Sequence, residues 1–315
     1  MDFKRLSNFV LIAELGSLSK AADKIHIAQP ALSRQMRLLE QYVGVPLFKR
    51  HRRGMQLTLE GEELRSRLVV PLYQIGRAVE DTRSLSKEVG GNVAFGMIPT
   101  AGYVLAGPLA RRVAQRAPNV SLRVVEGYGG HLIDWLQRGE IDIALLYGPA
   151  SDYRLAAEDL LIDELMLVGP PNCGLSPDSP VAFSQLARLP LVLPSRPHGL
   201  RVVVDKVAAK TKTILKVRFQ ADSFQLMKEL VTSGLGYTTL PYSSFSREAI
   251  AGSLKHAPII KPPVTRCLVL AAQPGNEISR AARRLETLIR QELAALVTAG
   301  KWEANLLFDA ETFAD

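Results

Sequence analysis

Ala28-Gln29-Pro30-Ala31-Leu32-Ser33-Arg34-Gln35-Met36-Arg37-Leu38-Leu39-Glu40 is the stretch on which the reading of this chain turns. Leu32, Met36 and Leu39 stand at i, i+4 and i+7, the spacing of one buried stripe on a helix. Pro30, Ser33, Arg34 and Arg37 then project from the opposite side, next to Gln29 at the helix start. That face holds the donors and acceptors that base edges and phosphates require. Arg bonds guanine in a forked geometry, Gln does so with adenine, and Ser takes either role. On an isolated helix the same face would read first as a solvated basic surface, so its neighbours decide.

Upstream, Phe3, Leu6, Val10 and Ala13 give a first amphipathic helix, with Gly16 placed to stop it. Ser17 is positioned to cap a second helix whose inner face is Leu18, Ala21, Ala22 and Ile25. The corner at His26-Ile27 carries no glycine, and ordinary backbone geometry is expected there. Downstream, Leu47–His51 and Met55–Thr58 read as two short strands around Arg52-Arg53-Gly54. A hairpin tipped with arginines, Arg50 and Arg53 among them, is suited to phosphate or minor-groove contact. Three helices and a basic hairpin make a winged helix-turn-helix with its third helix in the major groove.

Residues 1–60 resemble the DNA-binding domain of LysR-type transcriptional regulators. The resemblance rests on Gly16-Ser17-Leu18-Ser19-Lys20-Ala21-Ala22, then Gln29-Pro30-Ala31-Leu32-Ser33-Arg34-Gln35, then Gly44-Val45-Pro46-Leu47-Phe48 and Leu57-Thr58. It implies that Gln29, Pro30, Ser33 and Arg34 face the groove and that Arg53 works from the wing. One position departs from the pattern. Where the family has Ser or Thr to cap the reading helix, this chain has Ala28.

Charge is distributed in the same sense. Residues 1–59 carry ten Lys/Arg against four acids, a surplus of six; of the chain's +8, only +2 is left for the other 256 of 315 residues. A small basic head on a nearly neutral body favours a polyanion partner at one end. No signal peptide is read at the start, and no apolar run approaches the ~20 residues of a membrane span. Cys173 and Cys267 are lone thiols without metal spacing, as in a cytoplasmic protein, and the histidines show no metal-binding pairs. No metal and no cofactor is expected.

From Thr58 to about Val89 the pattern is one long helix, with Leu64, Leu68, Leu72, Ile75 and Val79 stepping along a narrow seam. Pro71 is expected to kink it. In the family that this chain resembles, such a linker helix pairs with its copy in a dimer. Residues 92–296 then alternate strands and helices in two sets, each an α/β unit. Gly139-Glu140-Ile141-Asp142-Ile143-Ala144 and Gly234-Leu235-Gly236-Tyr237-Thr238-Thr239-Leu240-Pro241 fit the periplasmic-binding-protein-like effector domain that the resemblance implies. The expected division is a winged head at 1–58, a linker helix at 59–90 and an effector domain at 91–298. Lobe I of that domain takes 91–163 and 269–298, and lobe II takes 164–268. The mixed acidic and aromatic tail, 299–315, is left as a docking segment.

Two such lobes leave a cleft at the carboxyl ends of their strands. Strand-to-helix junctions are the candidate lining, because free backbone N–H groups there attract anions. These junctions contain Pro99 and Thr100, then Tyr128, then Ser195, Arg196 and His198. The expected ligand is a small organic anion, a carboxylate. Catalytic readings are weak. Gly127-Tyr128-Gly129 is half of a dinucleotide fingerprint, with Leu132 in the place of its third glycine. Ser195 and His198 lack an identified acid or oxyanion hole. The leading expectation is therefore a regulator that binds double-stranded DNA at an interrupted palindrome. By resemblance it assembles as a dimer of dimers and contacts RNA polymerase. The alternative is a small-molecule-binding protein whose basic head tethers it to DNA without sequence preference.

Overall fold

The computed structural model describes residues 2–51, 54–84, 89–273 and 278–313; of residues 50, 51, 73, 77, 80, 81, 83 and 84 it describes the backbone alone. The chain divides into two compact units, residues 1–85 and 86–315.

In the first unit, α1 (Phe3–Leu15) starts with the Asp2 side chain accepting from the Lys4 N–H and closes on Gly16 in the left-handed region. α2 (Leu18–Lys24) is capped by the Ser17 hydroxyl, which accepts from the Lys20 N–H. α3 (Gln29–Val43) begins at Ala28 with no side-chain cap. The corner between α2 and α3 corrects the sequence expectation, since His26 takes φ 54°. His is one of the few non-glycine types enriched in that region. The strain there is held by the Ile27 N–H, which donates to the Ala22 carbonyl at 3.1 Å. β1 (Phe48–His51) and β2 (Gly54–Leu57) pair antiparallel. Phe9, Ile12, Leu32, Met36, Leu39 and Leu47 form the core of this unit.

α4 (Leu59–Ser84) runs unbroken through Pro71. Thr58 starts it by accepting from the Gly61 N–H at 3.0 Å while donating to the Pro46 carbonyl. Leu64, Leu68 and Leu72 pack on the head's own core. Only Ile75 and Val79, each 49 % exposed, leave the seam open to solvent. The first half of the seam read from the sequence is thus used within the chain.

In the second unit, β3 (Gly91–Met97), α5 (Pro99–Arg116), β4 (Val120–Glu126), α6 (Gly129–Arg138) and β5 (Ile143–Tyr147) form a parallel, doubly wound set in the order β4-β3-β5. β6 (Ala156–Gly169) is a single strand of 14 residues. Its first half, where Glu158 and Asp159 obscured the strand pattern, serves lobe I, and its second half enters lobe II. Lobe II adds β7 (Val181–Ala182), β8 (Leu191–Leu193), α7 (Gly199–Lys210), β9 (Val217–Gln220), α8 (Phe224–Thr232), β10 (Thr238–Pro241), α9 (Ser246–Ile250) and β11 (Lys255–Ile260). β12 (Thr265–Ala272) returns to pair antiparallel with both β5 and β6, and α10 (Arg280–Thr298) packs on lobe I.

The tail belongs to lobe I. β13 (Ala304–Leu306) pairs with β6 opposite Leu161–Asp163, and Trp302 is 1 % exposed. Each lobe has its own apolar core, one around Phe95, Leu105 and Leu145, the other around Phe183, Val192 and Leu240.

Candidate nucleic-acid interface and interlobe pocket

On α3, Leu32, Met36 and Leu39 are buried, and the residues between them turn outward. Gln29, Pro30, Arg34 and Arg37 are exposed, and Ser33 is half-buried. Two polar contacts fix the angle of this face. The buried Asn8 amide on α1 donates to Gln35 Oε1 at 2.7 Å. Glu40 Oε1 accepts from the Leu47 and Phe48 N–H groups at 2.8 and 3.2 Å, tying the wing to the same helix. At the start of β2, opposite His51 and at the tip end of the wing, Gly54 has φ 136°. A Cβ there would lie 2.3 Å from the Gly16 carbonyl oxygen. Arg50 lies in β1, and its side chain and all of Arg53 are outside the described residues. The arrangement offers two arginines, a hydroxyl and an amide on one rigid helix, as groove reading requires.

The second site is a cavity of about 70 Å³ between the lobes. Four helices start at it. Ile98 to Thr100 open α5, Tyr128 and Gly129 open α6, His198 to Leu200 open α7, and Asp222 and Phe224 flank the start of α8. Three of these N-caps, Ile98, Tyr128 and Ser223, make no side-chain cap bond. The fourth, His198, accepts the Leu200 N–H on Nδ1 at 3.2 Å. That bond needs an unprotonated nitrogen. Burial, with the Arg266 charge adding to it against Asp222, holds His198 below the usual imidazole range.

The deepest polar group is Arg266, 4 % exposed. Its Nε donates to Asp163 Oδ1 at 2.9 Å, and its Nη2 donates to Asp163 Oδ2 at 2.7 Å and to the Tyr147 hydroxyl at 2.8 Å. The guanidinium carbon sits 3.6 Å from the centre of the Tyr147 ring. Burial raises the Tyr147 phenol far above its ordinary value, so the hydroxyl stays protonated and donates to Asp163. At the mouth, Tyr128 of lobe I donates to the Asp222 carbonyl of lobe II at 2.5 Å and meets the His198 ring edge-on at 4.9 Å.

Pro99, Thr100, Tyr128 and His198 are brought together at this cavity, whereas Ser195 and Arg196 are not part of its lining. The Ser195 hydroxyl donates to Asp222 at 2.6 Å, which holds that carboxyl below its usual range. Arg196 is held outside by Asp205 of α7, at 2.6 Å. Sequence reasoning missed Tyr147, Asp222, Phe224, Met227 and Arg266. Arg266 carried a signal, being a lone charge inside an otherwise apolar strand. Asp163 carried none, because it is one of four acids in β6, with Glu158, Asp159 and Glu164. Phe224 follows a fourth strand-to-helix junction, between β9 and α8.

A winged helix-turn-helix with an open reading face, continued by a long helix and accompanied by a two-lobed α/β unit with an internal cavity, defines a ligand-responsive DNA-binding regulator. Residues 3–62 match the bacterial regulatory helix-turn-helix of the lysR family, and residues 86–294 match the LysR substrate binding domain. The chain belongs to the LysR family of transcriptional regulators. It is 30 % identical to the HTH-type transcriptional regulator BbuR of Bordetella bronchiseptica, over 97 % of this chain and 94 % of that protein. It is 29 % identical to the nitrogen assimilation regulatory protein nac of Klebsiella aerogenes, over 92 % of this chain and 94 % of that one. Among solved structures, full-length CbnR complexed with its target DNA is similar in fold, with a TM-score of 0.68 at 18 % identity, covering 93 % of this chain and all of CbnR. A full-length OxyR variant from Pseudomonas aeruginosa is similar with a TM-score of 0.69 at 22 % identity, covering 93 % and 94 %. The matched families and relatives are transcriptional regulators, not enzymes. Among the described residues, no helix is long and apolar enough to cross a membrane, and no cluster of His, Cys, Asp and Glu could hold a metal ion.

Proposed function

We propose that this regulator controls a promoter in response to a small organic anion, a carboxylate, bound between its lobes, with no other cofactor. The convergence of four helix N-termini on one cavity, three of them without a side-chain cap, carries the reading. Each uncapped end leaves backbone N–H groups and a partial positive charge, worth about 0.3–1 kcal/mol apiece to a nearby anion. Pro99, Thr100, Tyr128 and His198 are the contacts assigned to that ligand, with Ser195 and Arg196 acting at its edge through Asp222 and Asp205. A ligand shifts the lobes only through unequal affinity for their arrangements. In this structure Tyr128 ties the lobes together over a small cavity, so occupancy and that tie are coupled.

On the DNA side, Gln29, Ser33, Arg34 and Arg37 read bases or phosphates from α3, Pro30 packs against the groove, and Arg50 and Arg53 contact the backbone from the wing. Two heads held by paired linker helices would read an interrupted palindrome, with dimers pairing into a tetramer that contacts RNA polymerase. Ile75 and Val79, open on α4, are available for that pairing. Footprinting on DNA flanking the protein's own gene tests the reading. One protected, interrupted-palindromic region supports it, and weak uniform protection supports a non-specific tether in its place. Calorimetric titration of the full chain with a carboxylate panel tests the ligand class; binding of neutral compounds alone rejects it.

A further inference from the structure

A buried ion pair such as Arg266–Asp163 is weak evidence of net stabilisation. Replacing a buried ion pair with packed apolar side chains is often neutral or stabilising. This pair nevertheless sits where β6 and β12 pass between the lobes, each side chain 2 % exposed or less. Three of the guanidinium's five N–H positions are fixed: Nε and Nη2 are engaged by Asp163 and Tyr147, while Nη1 has no partner among the described residues. Arg266 lines the cavity. A planar donor locked on one edge and open on the other is a preorganised group for an oxygen acceptor.

The clamp has a third participant. Trp302, in the tail, donates its indole N–H to the same Asp163 Oδ2 at 3.4 Å, and β13 pairs Ala304 with Asp163 along the backbone. The tail therefore bears on the carboxylate that orients Arg266. The size of the space limits what that arginine can meet. The cavity is about 70 Å³, whereas an apolar cavity that takes a benzene ring is about 150 Å³. The neighbouring walls, Ile98, Leu200, Phe224 and Met227, are apolar.

We propose that Arg266 is the specificity-determining residue of this pocket, presenting Nη1 to the carboxylate of a two- to four-carbon acid with an apolar end, and that Trp302 is a positioning residue acting through Asp163. This rests on the interlobe pocket being the ligand site. The walls supply the apolar contact, the helix N-termini favour the charge, and the clamped guanidinium fixes its direction.

The test titrates full-length protein with propionate, its neutral isostere propionamide, and benzoate. Wild type is expected to bind propionate with a Kd of about 1 mM or tighter, at least tenfold better than propionamide or benzoate. Arg266→Met alone strands the Asp163 carboxylate, so the charge-neutral double variant Asp163→Asn/Arg266→Met carries the argument; it should lose at least tenfold for propionate and little for propionamide. Trp302→Phe keeps an apolar ring and removes the N–H. It should weaken propionate three- to tenfold while leaving propionamide unchanged, whereas a merely structural role would weaken both alike. A double variant that binds propionate within threefold of wild type overturns the assignment of Arg266. Equal losses for both ligands in Trp302→Phe overturn the role of the tail. A wild type that ignores propionate, or prefers benzoate or propionamide, overturns the ligand class. Thr100→Trp, which fills the cavity, separates the two levels. If it leaves propionate binding intact, the interlobe reading itself fails; if it abolishes binding while the double variant does not, only the present inference fails.

Discussion

Ala28→Ser is expected to stabilise the head. α1 and α2 each begin with a side-chain cap, from Asp2 and Ser17, and α3 begins with none. Ala28 already has the extended backbone of an N-cap, at φ −65° and ψ 131°. Pro30 has no N–H, so the donor a serine hydroxyl would meet is that of Ala31. At present that group makes only a tight bond to the Ala28 carbonyl at 2.9 Å, shared with the Leu32 N–H at 3.2 Å. Adding the missing acceptor is worth about 1 kcal/mol. In a cooperative unit of roughly 60–100 residues that corresponds to a rise of about 4–8 °C in Tm, and the first unit spans residues 1–85. Scanning calorimetry should show the gain in the transition assigned to the head, with the second unit unmoved. Hydrogen exchange at the Ala31 amide should slow in step. DNA should also add less protection to this helix start in the variant than in wild type, since the serine already supplies what a phosphate would. An unchanged head transition, or a gain without slower exchange at Ala31, refutes the capping argument.

Arg34→Ala is expected to cost about 1–3 kcal/mol on the specific site, roughly 5- to 150-fold in Kd, and almost nothing on random DNA; equal losses in a competition gel shift would argue against base reading. Arg53→Ala should weaken all sequences alike and flatten the dependence of log Kd on log salt by about one unit, and an unchanged slope would remove the wing from the phosphate contacts. Gly54→Ala should destabilise the head by more than about 2 kcal/mol, because a Cβ would meet the Gly16 carbonyl at 2.3 Å and the backbone has φ 136°; a denaturation midpoint within error of wild type refutes this. His198 is depressed by burial, so the unfolded chain takes up its proton more readily. Stability should then rise with pH from the folded value up to the ordinary value of about 6.5 and level off above it. His198→Asn keeps a capping acceptor without the titration and should reduce that slope in thermal melts, with His256, also lowered by burial, supplying the remainder; a slope equal to wild type would remove His198 from it.

Much of this protein is determined by local pattern. Leu32, Met36 and Leu39 at helical spacing fix which side of α3 is buried, and therefore which side is free, before any other part of the chain is considered. Gly16 and Ser17 punctuate the head for the same local reason, and the alternation of strands and helices in the second unit follows from periodicity. Features that depend on distant partners were settled only in three dimensions. His26 adopts a left-handed turn because the helix closure around it compensates the strain. β6 and β12 extend through Asp163 and Arg266 because each charge is neutralised by the other across about a hundred residues of chain. Arg196, the cation expected at the ligand, is held away by Asp205, while the buried Arg266 takes its place at the cavity. Trp302, at the other end of the sequence, reaches the same carboxylate. A charged residue in an apolar strand is locally unfavourable, and sequence periodicity does not name the partner that reverses that cost; only the tertiary pairing does.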